Sequence, residues 1–210
     1  MQTQFLARGQ GSHVVVFFAG WGMDETPFGT LKPLGKDVLV CFDYRSLAFD
    51  EALLTPYESI GVVGWSMGVW AACACGVLDD PRVVRSLAFN GTPTPVDDAK
   101  GIASAVFEGT LAGLNEATLE KFTRRMCGNG YEEFKAHAPK RSLESLREEL
   151  AWIGAQERVP CPWDEAIVGR KDRIFTPQNQ CAGWEGLAKV YDVDASHYDK
   201  TVLEDLLARA

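Results

Sequence analysis

The chain has few of the residues that hold metals or redox pairs. Its three histidines, His13, His137 and His197, lie far apart in 210 residues. Its six cysteines, at positions 41, 73, 75, 127, 161 and 181, include no Cys-x-x-Cys spacing. Neither a zinc site nor a thioredoxin-like motif finds its ligands in that pattern, so no metal is expected and the thiols read as buried and free. Basic residues are also short: 21 Lys and Arg against 29 Asp and Glu leave a net charge of −8. That balance repels a phosphate backbone and argues against nucleic acid as a partner. The start Met1-Gln2-Thr3-Gln4-Phe5-Leu6 lacks the basic region and apolar stretch of a secretory signal, which points to a reducing cytosol.

What is present suits one globular core. With 46% hydrophobic and 24% charged residues, the composition excludes disorder and collagen-like structure. A chain of this size buries roughly 70% of its extended surface on folding, so it needs no covalent staples. Ser59 to Leu78 runs twenty residues without a charge, long enough to span a bilayer. Its first part, through Trp65, is β-branched and punctuated by Gly61 and Gly64, and its second is rich in Ala and Cys. A strand followed by a buried helix explains both halves, so no membrane span is expected.

Short apolar runs at Val14–Ala19, Val38–Phe42, Ile60–Trp65, Val84–Phe89, Glu165–Val168 and Leu187–Val193 read as central parallel strands. The stretches between most of them are long enough for crossover helices. An α/β fold with a mostly parallel, doubly wound sheet follows, with function just after the strand ends. Residues 93–160 break the alternation and read as a helical cap inserted over that rim, leaving 1–92 and 161–210 as the core. Within the insertion, Leu119, Phe122 and Met126 form an apolar stripe behind Asn115 as N-cap, and Leu146, Leu150 and Ile153 form another. Such stripes serve packing or line a tunnel.

Gly64-Trp65-Ser66-Met67-Gly68 is G-x-S-x-G between a strand and a helix, the setting of a nucleophile elbow. Gly64 and Gly68 leave the turn room, and the helix that follows aims its free N–H groups at charge developing on an attacked carbonyl. Ser66 needs a base, and the base needs an acid. The chain order Ser, acid, His is met by Ser66, Asp172 and His197, the last two each just beyond a strand. Asp192, Asp194 and Asp199 are rival acids. His13 belongs at the opposite rim and His137 at the surface. Met67 N–H and Trp21 N–H, the latter in the loop Gly20-Trp21-Gly22-Met23-Asp24, are the expected oxyanion donors. Asp43-Tyr44-Arg45 is assigned no chemistry. Ester cleavage by such a set requires no cofactor.

The strings Phe18-Ala19-Gly20-Trp21-Gly22-Met23-Asp24, Phe42-Asp43-Tyr44-Arg45 and Gly64-Trp65-Ser66-Met67-Gly68-Val69-Trp70-Ala71 resemble the BioG branch of pimeloyl-acyl-carrier-protein methyl ester esterases, short α/β-hydrolases of biotin synthesis. The resemblance covers most of the sheet, and residues 93–160 match only in length and helical character. It implies Ser66 as nucleophile, Asp172 as acid, His197 as base, Trp21 and Met67 as oxyanion donors, and an acyl-carrier protein as partner. A local basic patch bears on that partner: between Lys121 and Arg141 six cations face only Glu132 and Glu133. Lys121, Arg124 and Arg125 share a helix face that either docks an acidic carrier or is simply solvated. A general carboxylesterase or thioesterase, a perhydrolase, and a hydrolase-fold protein that only binds its ligand are the competing readings.

Overall fold

The computed structural model describes residues 1–32, 35–157 and 161–210. In chain order it contains β1 (Gln2–Ala7), β2 (His13–Phe18), β3 (Asp37–Phe42), β4 (Ser59–Trp65), α1 (Met67–Ala74), β5 (Val83–Phe89), α2 (Ser104–Ala112), α3 (Glu116–Cys127), α4 (Tyr131–Ala136), α5 (Leu143–Gly154), β6 (Glu165–Gly169), α6 (Pro177–Gly183), β7 (Lys189–Val193) and α7 (Lys200–Arg209). The strands form one sheet in the order β1-β3-β2-β4-β5-β6-β7. β1 is antiparallel to β3, and the other neighbours are parallel. This is an α/β-hydrolase sheet. Six strands fall on the expected runs, the last starting two residues later than expected. β1 went unforeseen because its half-buried, Gln-bearing pattern lacks the continuous apolar signature of a strand covered on both faces.

The central strands are apolar throughout because both faces of the sheet are covered. Val14, Val16, Leu39, Ile60 and Val62 pack on the side of α1, whereas Val15, Phe17, Val40, Val63 and Leu87 pack on the side of α7. Met67 through Cys73 of α1 are all buried, as a helix apolar all round must be. The charge-free stretch is thus strand and core helix, and no helix among the described residues is long and apolar enough to cross a membrane.

Helices α2 to α5 lie between β5 and β6; the Pro160 end of the expected insertion falls outside the described residues. Asn115 caps α3 by accepting from Thr118 N at 3.0 Å, and the Thr118 hydroxyl in turn accepts from Asn115 N at 2.9 Å. Ser142 caps α5. Met126, Leu146, Leu150 and Ile153 are buried, and Leu119 and Phe122 partly so.

The cysteines depart from expectation. Cys73 on α1 and Cys161 on the return from the insertion are joined in a disulfide across 88 residues. No spacing rule pairs residues so far apart in sequence. Cys41 and Cys127 are buried free thiols, Cys75 is half-buried and Cys181 exposed.

Candidate active site

β4 ends at Trp65 and α1 begins at Met67, so Ser66 is the whole turn between them. Its backbone sits at φ 59°, ψ −128°, a conformation that costs a non-glycine residue of order 1–3 kcal/mol and persists only where surrounding contacts impose it. Those contacts are identifiable. Ser66 N donates to Phe89 O at 3.0 Å, and Ser66 O accepts from Val69 N at 3.1 Å. A Cβ on Gly68 would lie 2.1 Å from Phe18 O, and one on Gly64 would lie 2.8 Å from the Trp163 ring. Both glycines are therefore demanded by the core strands and by Trp163, rather than by the serine between them. Gly91, unremarked in the sequence, closes the same turn: a Cβ there would meet Ser66 O at 2.2 Å.

Three side chains far apart in sequence meet here. Ser66 Oγ is 2.9 Å from His197 Nε2, and His197 Nδ1 is 2.9 Å from Asp172 Oδ2. All three are buried, so their hydrogen bonds compete little with water. Asp172 leaves β6 through a turn in which its N–H donates to Gly169 O at 3.0 Å. Its Oδ1 accepts from Ile174 N at 2.7 Å and Phe175 N at 3.1 Å, and its Oδ2 also accepts from Gln180 Nε2 at 3.0 Å. Four donors saturate the carboxylate. Gln180 is fully buried, its amide nitrogen is shared with Phe175 O at 2.8 Å, and its Oε1 has no partner among the described residues.

His197 is held from every side. Its carbonyl accepts from Trp65 Nε1 at 2.8 Å and Asn90 Nδ2 at 3.0 Å, and its ring stacks parallel to Phe175 at 6.0 Å. Asn90, at φ 47°, also accepts from Gly169 N at 2.7 Å, which ties the tips of β5 and β6 to the histidine loop. Gln180 and Asn90 were missed because their partners lie 5 to 107 positions away; Asn90-Gly91 directly after a strand was the one available signal.

The rival acids are committed elsewhere. Asp192 pairs with Arg170, Asp194 with Lys171 at 2.7 Å, and Asp199 caps α7 through Thr201 N and Val202 N. His13 sits at the start of β2, on the opposite rim, and His137 is exposed at the end of α4.

The loop after β2 brings Gly20 against the elbow, where a Cβ would lie 3.2 Å from Ser66 Cβ. The Trp21 and Met67 N–H groups have no acceptor among the described residues, so both remain available to a ligand atom. This loop is bound to α5 and to the strap before it, residues 138–142. Trp21 Nε1 donates to Leu146 O at 2.9 Å, Gly22 N to Glu149 Oε2 at 3.2 Å, and Lys140 N to Asp24 Oδ2 at 2.7 Å. Glu149, fully buried, also accepts from Tyr44 N at 2.8 Å and Arg141 Nη1 at 2.6 Å. Burial pushes its carboxyl up from the ordinary glutamate range, against the pull of Arg141 and of the Tyr44 and Gly22 amides. Asp43-Tyr44-Arg45 thus has a structural use: Asp43 pairs with Arg45 at 2.7 Å and Arg141 at 3.0 Å, and the Tyr44 hydroxyl donates to Ala19 O at 2.7 Å.

A chamber opens over Ser66, lined by Trp21, Met67 and His197 from the sheet side and by Val106, Phe122 and Leu150 from the helices above. Lys121, Arg124 and Arg125 do not act as one face. Arg124 is paired with Glu120 at 2.9 Å and lies 3.9 Å over the Tyr131 ring, while Lys121 and Arg125 turn toward α2.

A family model described as "Pimeloyl-ACP methyl esterase BioG" matches residues 1–204. A crystal structure of BioG from Haemophilus influenzae superposes with a TM-score of 0.85 at 36% identity, covering 96% of each chain. A lipase-esterase related protein from Clostridium acetobutylicum gives a TM-score of 0.71 at 12% identity over 99% of this chain and 96% of that one, a likeness of fold alone. A Bacteroides fragilis protein named malonyl-[acyl-carrier protein] O-methyltransferase is 51% identical over 205 residues, 93% of this chain. The chain spans 41% of that relative's length.

Proposed function

This chain belongs to the BioG family, and from that premise we propose that it is a serine esterase that removes the methyl group from pimeloyl-acyl-carrier-protein methyl ester. The observation that carries the reading is the Ser66–His197–Asp172 triad, with two contacts of 2.9 Å, in a chamber also lined by Trp21 and Met67, whose amides have no acceptor among the described residues. His197 Nε2 takes the Ser66 proton as Oγ bonds to the ester carbon. The oxyanion falls to the two amides, which stabilise it more than they stabilise the ground-state carbonyl. Collapse breaks the bond to the methoxy oxygen, and His197 returns the proton to it, releasing methanol. Water then attacks the acyl-enzyme by the same route, His197 hands the proton back to Ser66, and the free carboxylate departs. Asp172 holds the imidazole in the tautomer that presents a bare Nε2 to the serine. No cofactor enters these steps.

In this reading residues 93–160 are a cap over the site and 1–92 with 161–210 the hydrolase core. The partner is an acyl-carrier protein, drawn to cations on the cap, and the setting is the cytosol. Methyl transfer, the activity named for the longer Bacteroides protein, requires a substrate carboxylate aimed at a methyl donor and has no use for a buried serine–imidazole pair. The test is methanol release from pimeloyl-carrier-protein methyl ester by the wild type and by Ser66→Ala. Release that survives the substitution overturns the mechanism. A wild type that prefers small free esters to the carrier-bound one returns the general carboxylesterase reading.

A further inference from the structure

The chamber above Ser66 shares walls with two clefts formed by helices of the insertion. One is a groove between α2 and α3, which shares Trp21, Val106, Thr110, Phe122 and Arg125 with the chamber. The other lies among α3, α4, the strap and the start of α5, and it meets the chamber only at Trp21, Phe122 and Met126.

The second way has little wall in common with the chamber: beyond Met126 it shares only Trp21 and Phe122, which meet edge to face at 5.3 Å with the indole N–H fixed on Leu146 O, and this pair borders both clefts. Its cations are also consumed: Lys135 pairs with Glu120 at 3.5 Å, and Arg141 with Glu149 and Asp43. The α2–α3 groove adds Val106, Thr110 and Arg125 to that pair as wall shared with the chamber, and its cations differ as well. Lys121 and Arg125 are exposed there and have no ion-pair or hydrogen-bond partner among the described residues. Val106 at its inner lip is 52% exposed, and Gly109 on its wall has open space where a Cβ would project. Exposed valine favours an apolar chain, and unpaired cations farther along favour negative charge, so the groove changes character outward as a fatty acyl chain on an acidic carrier does.

We propose that the α2–α3 groove is where the substrate leaves the chamber: the acyl chain beyond the ester lies along Val106 and Thr110, and Lys121 and Arg125 receive the acidic carrier. This rests on the esterase reading above and adds the route and polarity of the bound substrate. The readout is the ratio of kcat/KM for pimeloyl-carrier-protein methyl ester to that for dimethyl pimelate, a neutral ester with no carrier. Gly109→Trp fills the groove, and replacing an interior helix glycine favours α2 itself. It should lower the ratio about tenfold or more. Lys121→Glu with Arg125→Glu should also lower the ratio and remove the salt dependence of carrier-bound turnover. Ala138→Trp, in the other cleft, should leave the ratio unchanged. A Gly109→Trp protein with an unchanged ratio and a wild-type melting temperature overturns the route, as does a ratio that falls in Ala138→Trp. A wild type that cleaves only dimethyl pimelate overturns the substrate reading and the groove's occupant together.

Discussion

The two rims of the sheet each carry a histidine hydrogen-bonded to a serine. At one rim His197 Nε2 meets Ser66 Oγ at 2.9 Å; at the other His13 Nδ1 meets Ser59 Oγ at 2.8 Å. The distances are equivalent and the environments are not. His13 and Ser59 are register partners at the starts of β2 and β4, so the ladder alone brings them together, and the other imidazole nitrogen faces Ala210 O at 3.0 Å. Ser66 and His197 are 131 positions apart and meet through loops beyond the strand ends, with Asp172 behind the imidazole and, in the same chamber wall, Trp21 and Met67, whose amides have no acceptor among the described residues. Proximity of base and hydroxyl is therefore cheap. The costly parts of the proposed site are the strained turn at Ser66 and the saturated Asp172 carboxylate.

Substitutions at the two rims should separate these contributions. The widest contrast is Ser66→Ala against Ser59→Ala: the first should lower kcat for methyl ester hydrolysis by about 10⁴-fold or more, while the second leaves it unchanged and costs about 1 kcal/mol of stability. Comparable losses from both would erase the distinction between the rims. Asp172→Asn should come next, with a fall in kcat of about 10⁴-fold and little change in KM, because the amide no longer selects the productive tautomer. Gln180→Leu, which keeps the volume and removes a donor to Asp172 Oδ2, should lower kcat about tenfold without unfolding the protein, and Gln180→Ala should do no better.

The effect at Glu149 is smaller and appears in stability. Its carboxyl is held above the ordinary value in the folded protein, so its contribution is full below the unfolded value of about 4.3 and declines as pH rises through the raised one. The melting temperature of wild type minus that of Glu149→Gln should fall over this window; a difference that grows with pH overturns the assignment. Least costly to the protein is thiol labelling at neutral pH. Exposed Cys181 should alkylate at once, whereas Cys127, whose thiol burial pushes up to about 12, should stay unmodified until the protein unfolds.

The legible parts of this molecule are those whose cause is local. Continuous apolar runs marked six strands, the charge-free stretch divided at Trp65 into strand and buried helix, and Asn115 ahead of an apolar stripe marked the start of α3. Ser66 stood out because a strand, a turn and a helix are written consecutively around it. Asp172 and His197 were legible as residues at strand tips, since topology gathers those tips on one rim. What escaped was set by contacts across the chain. Gln180 takes its position from a carboxylate eight residues away in the folded loop, Asn90 from a carbonyl 107 positions distant, and Cys73 from a disulfide partner 88 positions distant. The basic helix face was legible only as spacing, which fixes where side chains start and not which neighbours claim them: Tyr131 and Glu120 draw Arg124 away from Lys121 and Arg125.

The bonds from Trp21, Gly22 and Asp24 to the strap and α5 make the roof and the floor of the chamber one mechanical part. Transplanting residues 104–154 onto another hydrolase would leave the buried Glu149 without the Gly22 and Tyr44 amides and the Leu146 carbonyl without the Trp21 indole. Evolution and engineers alike would have to exchange the helical insertion and the loop together, so specificity in this scaffold should change in correlated blocks and not by replacement of α2 to α5 alone.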